Sequence, residues 1–335
     1  MPTIKRYRNY LPGYKSQTNL QNGDNLDWCR VRRSEIKYSY ENIKNIEKLV
    51  VEGIEIVDVK SIKLFTELYK SNLLTEYSSL DISNPYIRNI FYLDFLKINI
   101  NYSEILSKKI LVFGAGAVGC NISYLLAQFG YKNVIVIDDD RVEESDIYKT
   151  LIYRRSDIGQ FKVDSLRICI ESNFAISIET FIDSPKKQSE ISSYVELLKP
   201  DLIIKACDPN LSFRYYLNEI CFGMKIPFVY MSYSFERINI GPFFVPGLTK
   251  SDKEIEFDFS KKFGNSYSYL GHEKLFSDYT IHPSVSFNIN ILSNIMLKEI
   301  LFFHLNKFEF VFSLNKEVFF FPLTMKVFYK DLSKL

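Results

Sequence analysis

Gly114-Ala-Gly116-Ala-Val-Gly119 is the segment of this 335-residue chain whose residue types and spacing most directly specify chemistry. It follows an apolar run, Ile110 to Phe113, and leads into a helical pattern carrying Ile122, Leu125, Leu126 and Phe129. A strand that turns into a helix through Gly-x-Gly-x-x-Gly is a nucleotide-binding device. Gly114 permits the tight turn, Gly116 lets phosphates approach the backbone, and Gly119 lets the helix sit close to the strand. The helix N-terminus then offers N–H groups and a positive dipole end to an anion. A second strand, 134–137, ends in Asp138, about 20 residues beyond the turn, where an acid that binds ribose hydroxyls belongs. A solvated strand end is the alternative for Asp138. A strand over 201–205 delivers Ala206-Cys207-Asp208. An aspartate in that place suits Mg²⁺, which takes one or two carboxylates together with phosphate oxygens. Pro209 follows, so Asp208 also fits the N-cap of the next helix, and the two roles are compatible.

The elements that must position these residues alternate. Strands are predicted over 110–113, 134–137, 177–182, 201–205 and 227–231, with helices over 117–129, 160–173, 187–198 and 209–222. Such alternation specifies an α/β, Rossmann-like, doubly wound and mostly parallel sheet with helices on both faces. Residues 283–303 read as a long, almost wholly apolar helix, buried in the core or at an interface. The tail, 308–330, switches to short aromatic-rich strands with a turn at Asn315-Lys316, read as antiparallel strands extending the sheet edge. Residues 248–279 are polar without a clear period and read as a long surface loop. Residues 1–80 differ. Helical patterns near 40–51 and 60–71 precede Leu73-Leu74-Thr75-Glu76-Tyr77, the order of a small winged-helix-like domain. The expected division is therefore 1–80, a linker over 81–104, and a nucleotide-binding domain over 105–335.

Composition narrows the function. The 28 Phe and 23 Tyr supply apolar bulk for a large core. A net charge of +2 gives no general case for nucleic acid as a partner. Residues 1–37 hold eight Lys/Arg against three Asp/Glu, a solvated face or one turned to an anion or acidic peptide. The near-neutral balance of 34–80 argues against a phosphate-backbone binder. No run reaches 18 apolar residues and no apolar signal block opens the chain, so no membrane partner is expected, and the expected location is the cytoplasm with reduced thiols. The five cysteines are scattered, no Cys-x-x-Cys occurs and the three histidines do not cluster, so zinc is not expected.

The order of further motifs resembles the ThiF/MoeB family, adenylating enzymes of the ubiquitin-activating type. Asp138-Asp-Asp140, then Gly159-Gln-Phe-Lys162, then Asp208 match that family's Asp-x-Asp, Gly-x-x-Lys and post-strand Asp, across roughly residues 85–330. Within it, Pro85-Tyr-Ile-Arg88-Asn89, Gly241-Pro-Phe-Phe-Val-Pro246-Gly247 and Ser313-Leu-Asn-Lys316 resemble segments of the peptide-modifying, microcin-type branch. The resemblance implies ATP and Mg²⁺ as cofactors, with Gly114, Gly116 and Gly119 at the phosphates, Asp138 on the ribose and Asp208 on the metal. Lys162 and Lys149 would lie on the phosphates as point charges, with surface lysines as the alternative. Asp140 would orient Lys149, approach the metal, or remain a loop acid. Arg88 would reach the ATP of a partner subunit across a homodimer interface, or be an ordinary linker arginine. Residues 1–80 would clamp the leader of a ribosomally made precursor peptide.

Three positions depart from the family pattern. Its Asn-x-x-Arg-Gln is Asp146, Lys149 and Thr150 here, and Lys149 lacks the planar fork of Arg. The family's zinc cysteines are absent, and no cysteine occurs in 248–279 for thioester transfer. The expected function is ATP-dependent modification of a precursor peptide in antibiotic biosynthesis. A peptide carboxylate, a Glu side chain, is activated as an acyl-adenylate for intrapeptide cyclisation of the pantocin A type. The alternatives are microcin-type adenylation of a peptide C-terminus, giving an AMP-peptide, and an inactive leader-binding scaffold. An NAD(P)-dependent oxidoreductase shares the glycine turn but has no need of Asp140, the Gly-x-x-Lys or Asp208.

Overall fold

The computed structural model describes residues 2–4, 74–76, 84–95, 102–207, 211–234, 236–264 and 285–334. The chain divides into two compact units, Met1–Asn99 and Ile100–Leu335. In the first, β1 (Pro2–Ile4) pairs antiparallel with β2 (Leu74–Glu76), Thr3 opposite Thr75, and α1 spans Ile87–Phe95. The helices expected near 40–51 and 60–71 lie outside the described residues.

The second unit opens with α2 (Tyr102–Leu106) and is built on an eight-stranded sheet. Its parallel strands are β3 (Lys109–Phe113), β4 (Asn133–Ile137), β5 (Glu179–Phe181), β6 (Leu202–Lys205) and β7 (Phe228–Ser234). β8 (Arg237–Phe244), β9 (Lys316–Phe321) and β10 (Lys326–Asp331) continue it antiparallel, giving the spatial order β10-β9-β8-β7-β6-β3-β4-β5. Ile110, Leu111 and Val112 on β3 and Leu202, Ile203 and Ile204 on β6 are fully buried, because helices cover both faces of the parallel part. On one face α6 (Gln188–Leu198) and α7 (Leu211–Met224) pack Ile191, Val195, Leu198, Phe213 and Leu217 onto Leu111, Ile135 and Ile203. α3 (Ala117–Phe129) packs with α5 (Lys162–Phe174) and along α9 (Ser286–His304). From β3 the chain runs outward through β4 to β5, then returns to β6 on the other side of β3. The switch point of the sheet therefore lies between β3 and β6, where open α/β sheets bind their ligands.

Four expectations need correction. β8 was not anticipated, because Gly241-Pro242 in its middle reads as a strand breaker. Gly241 instead adopts φ +79° where a Cβ would lie 2.7 Å from the Cβ of Ser313. The turn between the last two strands is at 322–325, not at Asn315-Lys316; Asn315, with φ +54°, turns the chain into β9. Residues 308–310 form a 3₁₀ turn and not a strand. The expected loop 248–279 contains a helix, α8 (Asp252–Phe263), while 265–279 lies outside the described residues. A capping box starts α8: the Ser251 hydroxyl accepts the Glu254 N–H, and the Glu254 carboxylate accepts the Ser251 N–H at 2.7 Å. α9 is a core helix as expected, yet it buries Glu299, whose carboxylate accepts the N–H and hydroxyl of Ser313 at 2.9 and 2.8 Å. No helix among the described residues is long and apolar enough to cross a membrane.

α8 is fastened to α7 by a buried ion pair. Arg214 donates from Nε and Nη2 to the two oxygens of Asp252, both at 3.0 Å, and its guanidinium lies 4.5 Å from the centre of the Tyr230 ring. The Tyr230 hydroxyl lies 3.2 Å from the Arg214 carbonyl and 3.3 Å from Asp252, with one proton to share between them, and Asn218 accepts the Asp252 N–H. Removing one member of such a pair strands the other charge in the interior. Arg214→Met is therefore expected to cost about 3–5 kcal/mol in urea unfolding, and Arg214→Met with Asp252→Leu to recover most of that loss. A further expectation concerns pH. Burial above all holds His304 down at about 4 from an ordinary 6.5, so the neutral ring belongs to the folded chain. Stability from this site is complete above pH 6.5 and declines as pH falls from there towards 4. Melting temperatures across that interval should flatten in His304→Phe.

Candidate functional site

The C-terminal ends of β3, β4 and β6 converge on the glycine turn. A Cβ on Gly119 would lie 1.9 Å from the carbonyl oxygen of Gly114, and one on Gly114, at φ +108°, would lie 2.7 Å from that of Ala206. These contacts let α3 start directly over the β3–β6 boundary. The Gly114 N–H donates to Ile137 and the Ala206 N–H to Phe113, each at 2.9 Å, so the turn is stitched to both neighbouring strands. Gly116 is the N-cap of α3 and supplies no side-chain cap; a Cβ there would meet no protein atom within 4 Å. Glycine at this position leaves the first N–H groups of α3 open to an anion, as a phosphate cradle requires.

Asp138, at the end of β4, is joined to the turn. One carboxylate oxygen accepts the Ala115 N–H at 2.6 Å and the other the Asp140 N–H at 2.8 Å. Burial pushes this carboxyl above its ordinary range, and the two N–H donors hold it back. Each oxygen keeps a further lone pair. Asp138, Asp139 and Asp140 bring their carboxylates within 4.8 Å of one another, and among the described residues no His or Cys joins this group.

Lys162 opens α5 and is buried, 8% exposed. Its ammonium lies 3.0 Å from Asp140 and 3.6 Å from Asp146, and its N–H donates to the Asp140 carbonyl. Burial works against the charge, but the hydrogen bond to Asp140 and the charges of Asp146, Asp140 and Asp138 outweigh it, and the lysine is held above its ordinary value. Asp140 thus orients Lys162 and not Lys149. Lys149 is half-buried and donates to Ser145 at 3.1 Å. Asp146, on α4 (Glu144–Ile147), also accepts the Glu143 N–H at 3.0 Å, closing that helix with a capping box.

Thr150, noted only as a departure from the family pattern, and Tyr153, which the sequence reading did not name, complete the site. The buried Thr150 hydroxyl accepts the N–H groups of Ile152 and Tyr153, both at 3.3 Å. Tyr153, 4% exposed, donates its hydroxyl to the Ala115 carbonyl at 2.5 Å. Tyr153 carries no motif signature; a phenol seven residues after Asp146 is the sole sequence trace. Cys120 lies against both hydroxyls, and burial above all raises its thiol to about 12, so it stays protonated.

The structure thus brings Gly114, Gly116, Gly119, Asp138, Asp140 and Lys162 together, with Lys149 on the adjoining loop. Arg88 is exposed on α1 of the first unit. Asp208 lies outside the described residues, one position beyond Cys207 at the end of β6.

The chain is similar to several known proteins. The adenylyltransferase and sulfurtransferase MOCS3 of Culex quinquefasciatus is 28% identical over 198 residues, 58% of this chain and 42% of the relative. The molybdopterin-synthase adenylyltransferase of Escherichia coli K12 is 30% identical over 125 residues, 36% of this chain and 47% of the relative. The chain spans less than half the length of these curated relatives. Among solved structures, E. coli MccB with AMPCPP and MccA matches with a TM-score of 0.69 at 17% identity, covering 88% of this chain and 87% of MccB. PaaA matches with a TM-score of 0.66 at 19% identity, covering 87% and 96%. These two likenesses show a common fold. The ThiF family model matches residues 86–306, about two thirds of the sequence, and the chain belongs to the ThiF family.

Proposed function

We propose that this chain is an ATP-dependent adenylating enzyme that activates a carboxylate of a ribosomally made precursor peptide. The finer reading is a Glu side chain, activated for intrapeptide cyclisation of the pantocin A type. The observation that carries the adenylating part is the union of an uncapped glycine cradle with the Asp140–Lys162 pair at the sheet's switch point. The match to MccB, solved with ATP and with N-formylated MccA, supports a nucleotide and a peptide as the two substrates. The peptide-cyclising part rests on the likeness to PaaA and on Asp146, Lys149 and Thr150, which replace the family's Asn, Arg and Gln.

The chemistry asks for alignment and charge neutralisation more than for acid–base help. A peptide carboxylate oxygen attacks the α-phosphorus of ATP; that O–P bond forms as the bond to pyrophosphate breaks. A nucleophile of the same peptide then displaces AMP from the acyl carbon. In this reading the N–H groups at the start of α3 and the ammonium of Lys162 hold the phosphates, Lys149 adds a second cation, and Asp138 takes the ribose hydroxyls. Mg²⁺ held by Asp208 would supply further charge neutralisation. Arg88 reaches the phosphates of the partner subunit in a homodimer, and residues 1–80 hold the leader of the precursor by adding its backbone as a strand. The enzyme works in the cytoplasm without zinc.

Two experiments test this. Asp208→Asn and Arg88→Ala should each abolish pyrophosphate release almost completely while the melting temperature stays close to wild type. Mixed and allowed to exchange subunits, the two inactive proteins should regain activity, because one site of the heterodimer then has Asp208 in its own chain and Arg88 from the other. A mixture that stays inactive, with exchange shown by native mass spectrometry, rejects the action of Arg88 across the dimer. Deleting residues 1–80 should leave ATP binding intact and remove binding of a leader peptide encoded by a short neighbouring reading frame. An unchanged leader affinity rejects the clamp.

A further inference from the structure

We infer that Tyr153 is a positioning residue for the nucleotide phosphates, acting through the Ala115–Gly116 peptide group. The inference rests on the nucleotide-binding reading of the glycine turn. It goes beyond that reading by assigning a task to a side chain that no motif marks.

The peptide unit between Ala115 and Gly116 is where the turn meets its ligand. A trans amide directs its C=O and N–H to opposite sides. Here the Tyr153 hydroxyl holds the Ala115 carbonyl inward at 2.5 Å. The Gly116 N–H therefore points away from the phenol, at the start of α3, on the side where Gly116 carries no side chain. On the same residue the Ala115 N–H is held by Asp138 at 2.6 Å. Ala115, fully buried, thus has both backbone groups clamped, one by an acid at the end of β4 and one by a phenol from the 146–153 segment. Gly114 and Gly116, on either side of Ala115, would otherwise leave this backbone freer to rotate.

The phenol itself is fixed. Tyr153 is buried, and its own N–H donates to Thr150 Oγ1 at 3.3 Å. Burial, then the neighbouring Cys120 and Asp138, keep the hydroxyl protonated far above its ordinary range, so it acts as a donor. Thr150 in turn receives its N–H partners just beyond α4, which carries Asp146, and the turn that carries Lys149. The Asp146–Tyr153 segment thereby has two attachments to the site: Asp146 to Lys162, and Tyr153 to the glycine turn. Preorganised donors bind phosphate more tightly than donors that must be turned into place on binding.

The test compares ATP with adenosine by calorimetry or ligand-observed NMR. Tyr153→Phe keeps the ring and removes the donor. It should weaken ATP about 3- to 10-fold, the range for one lost hydrogen bond, while adenosine affinity stays within twofold, since the nucleoside has no phosphate to meet the turn. Tyr153→Leu, which also removes the donor, should show the same contrast, with melting temperatures of both variants confirming that each is folded. An ATP affinity within twofold of wild type in both variants overturns the inference. An equal loss for ATP and adenosine also overturns it, because that is the signature of general destabilisation. A wild-type chain that binds no ATP instead rejects the nucleotide reading of the site, and this inference with it.

Discussion

The contact of Gly119 with the backbone of Gly114 is the constraint on which the rest of the site depends. With 1.9 Å between a would-be Cβ and the Gly114 oxygen, any larger residue must push α3 off the strand. That displacement would carry the helix N-terminus away from the β3–β6 boundary. It would also break the reach of Asp138 to Ala115 and of Tyr153 to the same residue. The glycine spacing therefore does more than admit a phosphate. It sets the distance at which acids, a lysine and a phenol from three different segments meet one turn.

Around Lys162 the charges are arranged unusually for a phosphate site. One ammonium lies between two carboxylates, Asp140 and Asp146, and the second of these stands where the family carries a neutral Asn. The lysine is kept charged and in place, but its field is offset by two negative neighbours, so the anion it meets feels less of it. Lys149 adds a point charge in place of a bidentate guanidinium and is turned to Ser145. The phosphates of such a site need cations from outside this segment. The proposed mechanism draws those further cations from Arg88 and from a metal at Asp208.

Much of the fold was legible because the signals were local and redundant. β3, β4 and β6 carry the apolar runs 110–113, 134–137 and 202–204, and α3 follows its expected bounds of 117–129. What escaped depended on tertiary partners. β8 contains Gly241-Pro242, and only its packing against Ser313 and β9 explains a strand there. α8 is polar around most of its surface, and Ile255 is the apolar residue it buries beside Asp252; its capping box, Ser251 to Glu254, was the overlooked signal. In the site, the acids and Lys162 announced themselves by spacing. Tyr153 and the Arg214–Asp252 pair did not, because their role consists in where a neighbouring segment places a carbonyl or a charge.

The two segments that mark the resemblance to the peptide-modifying branch, Gly241–Gly247 and Ser313–Lys316, prove to be one structural unit. Gly241 sits against Ser313, the Phe243 N–H donates to the Ser313 carbonyl at 3.1 Å, and Ser313 saturates one oxygen of the buried Glu299. Lys298 contacts the other oxygen at 2.9 Å, so the carboxylate is paired and hydrogen-bonded as a buried charge must be. This unit joins β8, β9 and α9 and closes the antiparallel extension of the sheet. Its residues therefore report a common architecture and carry no direct information on which bond is made. Asp146, Lys149 and Thr150 are the positions of the site segment that depart from the family pattern. Thr150 shows how such a difference acts: where the family has a glutamine, its short hydroxyl turns inward to cap the backbone that delivers Tyr153 to the glycine turn.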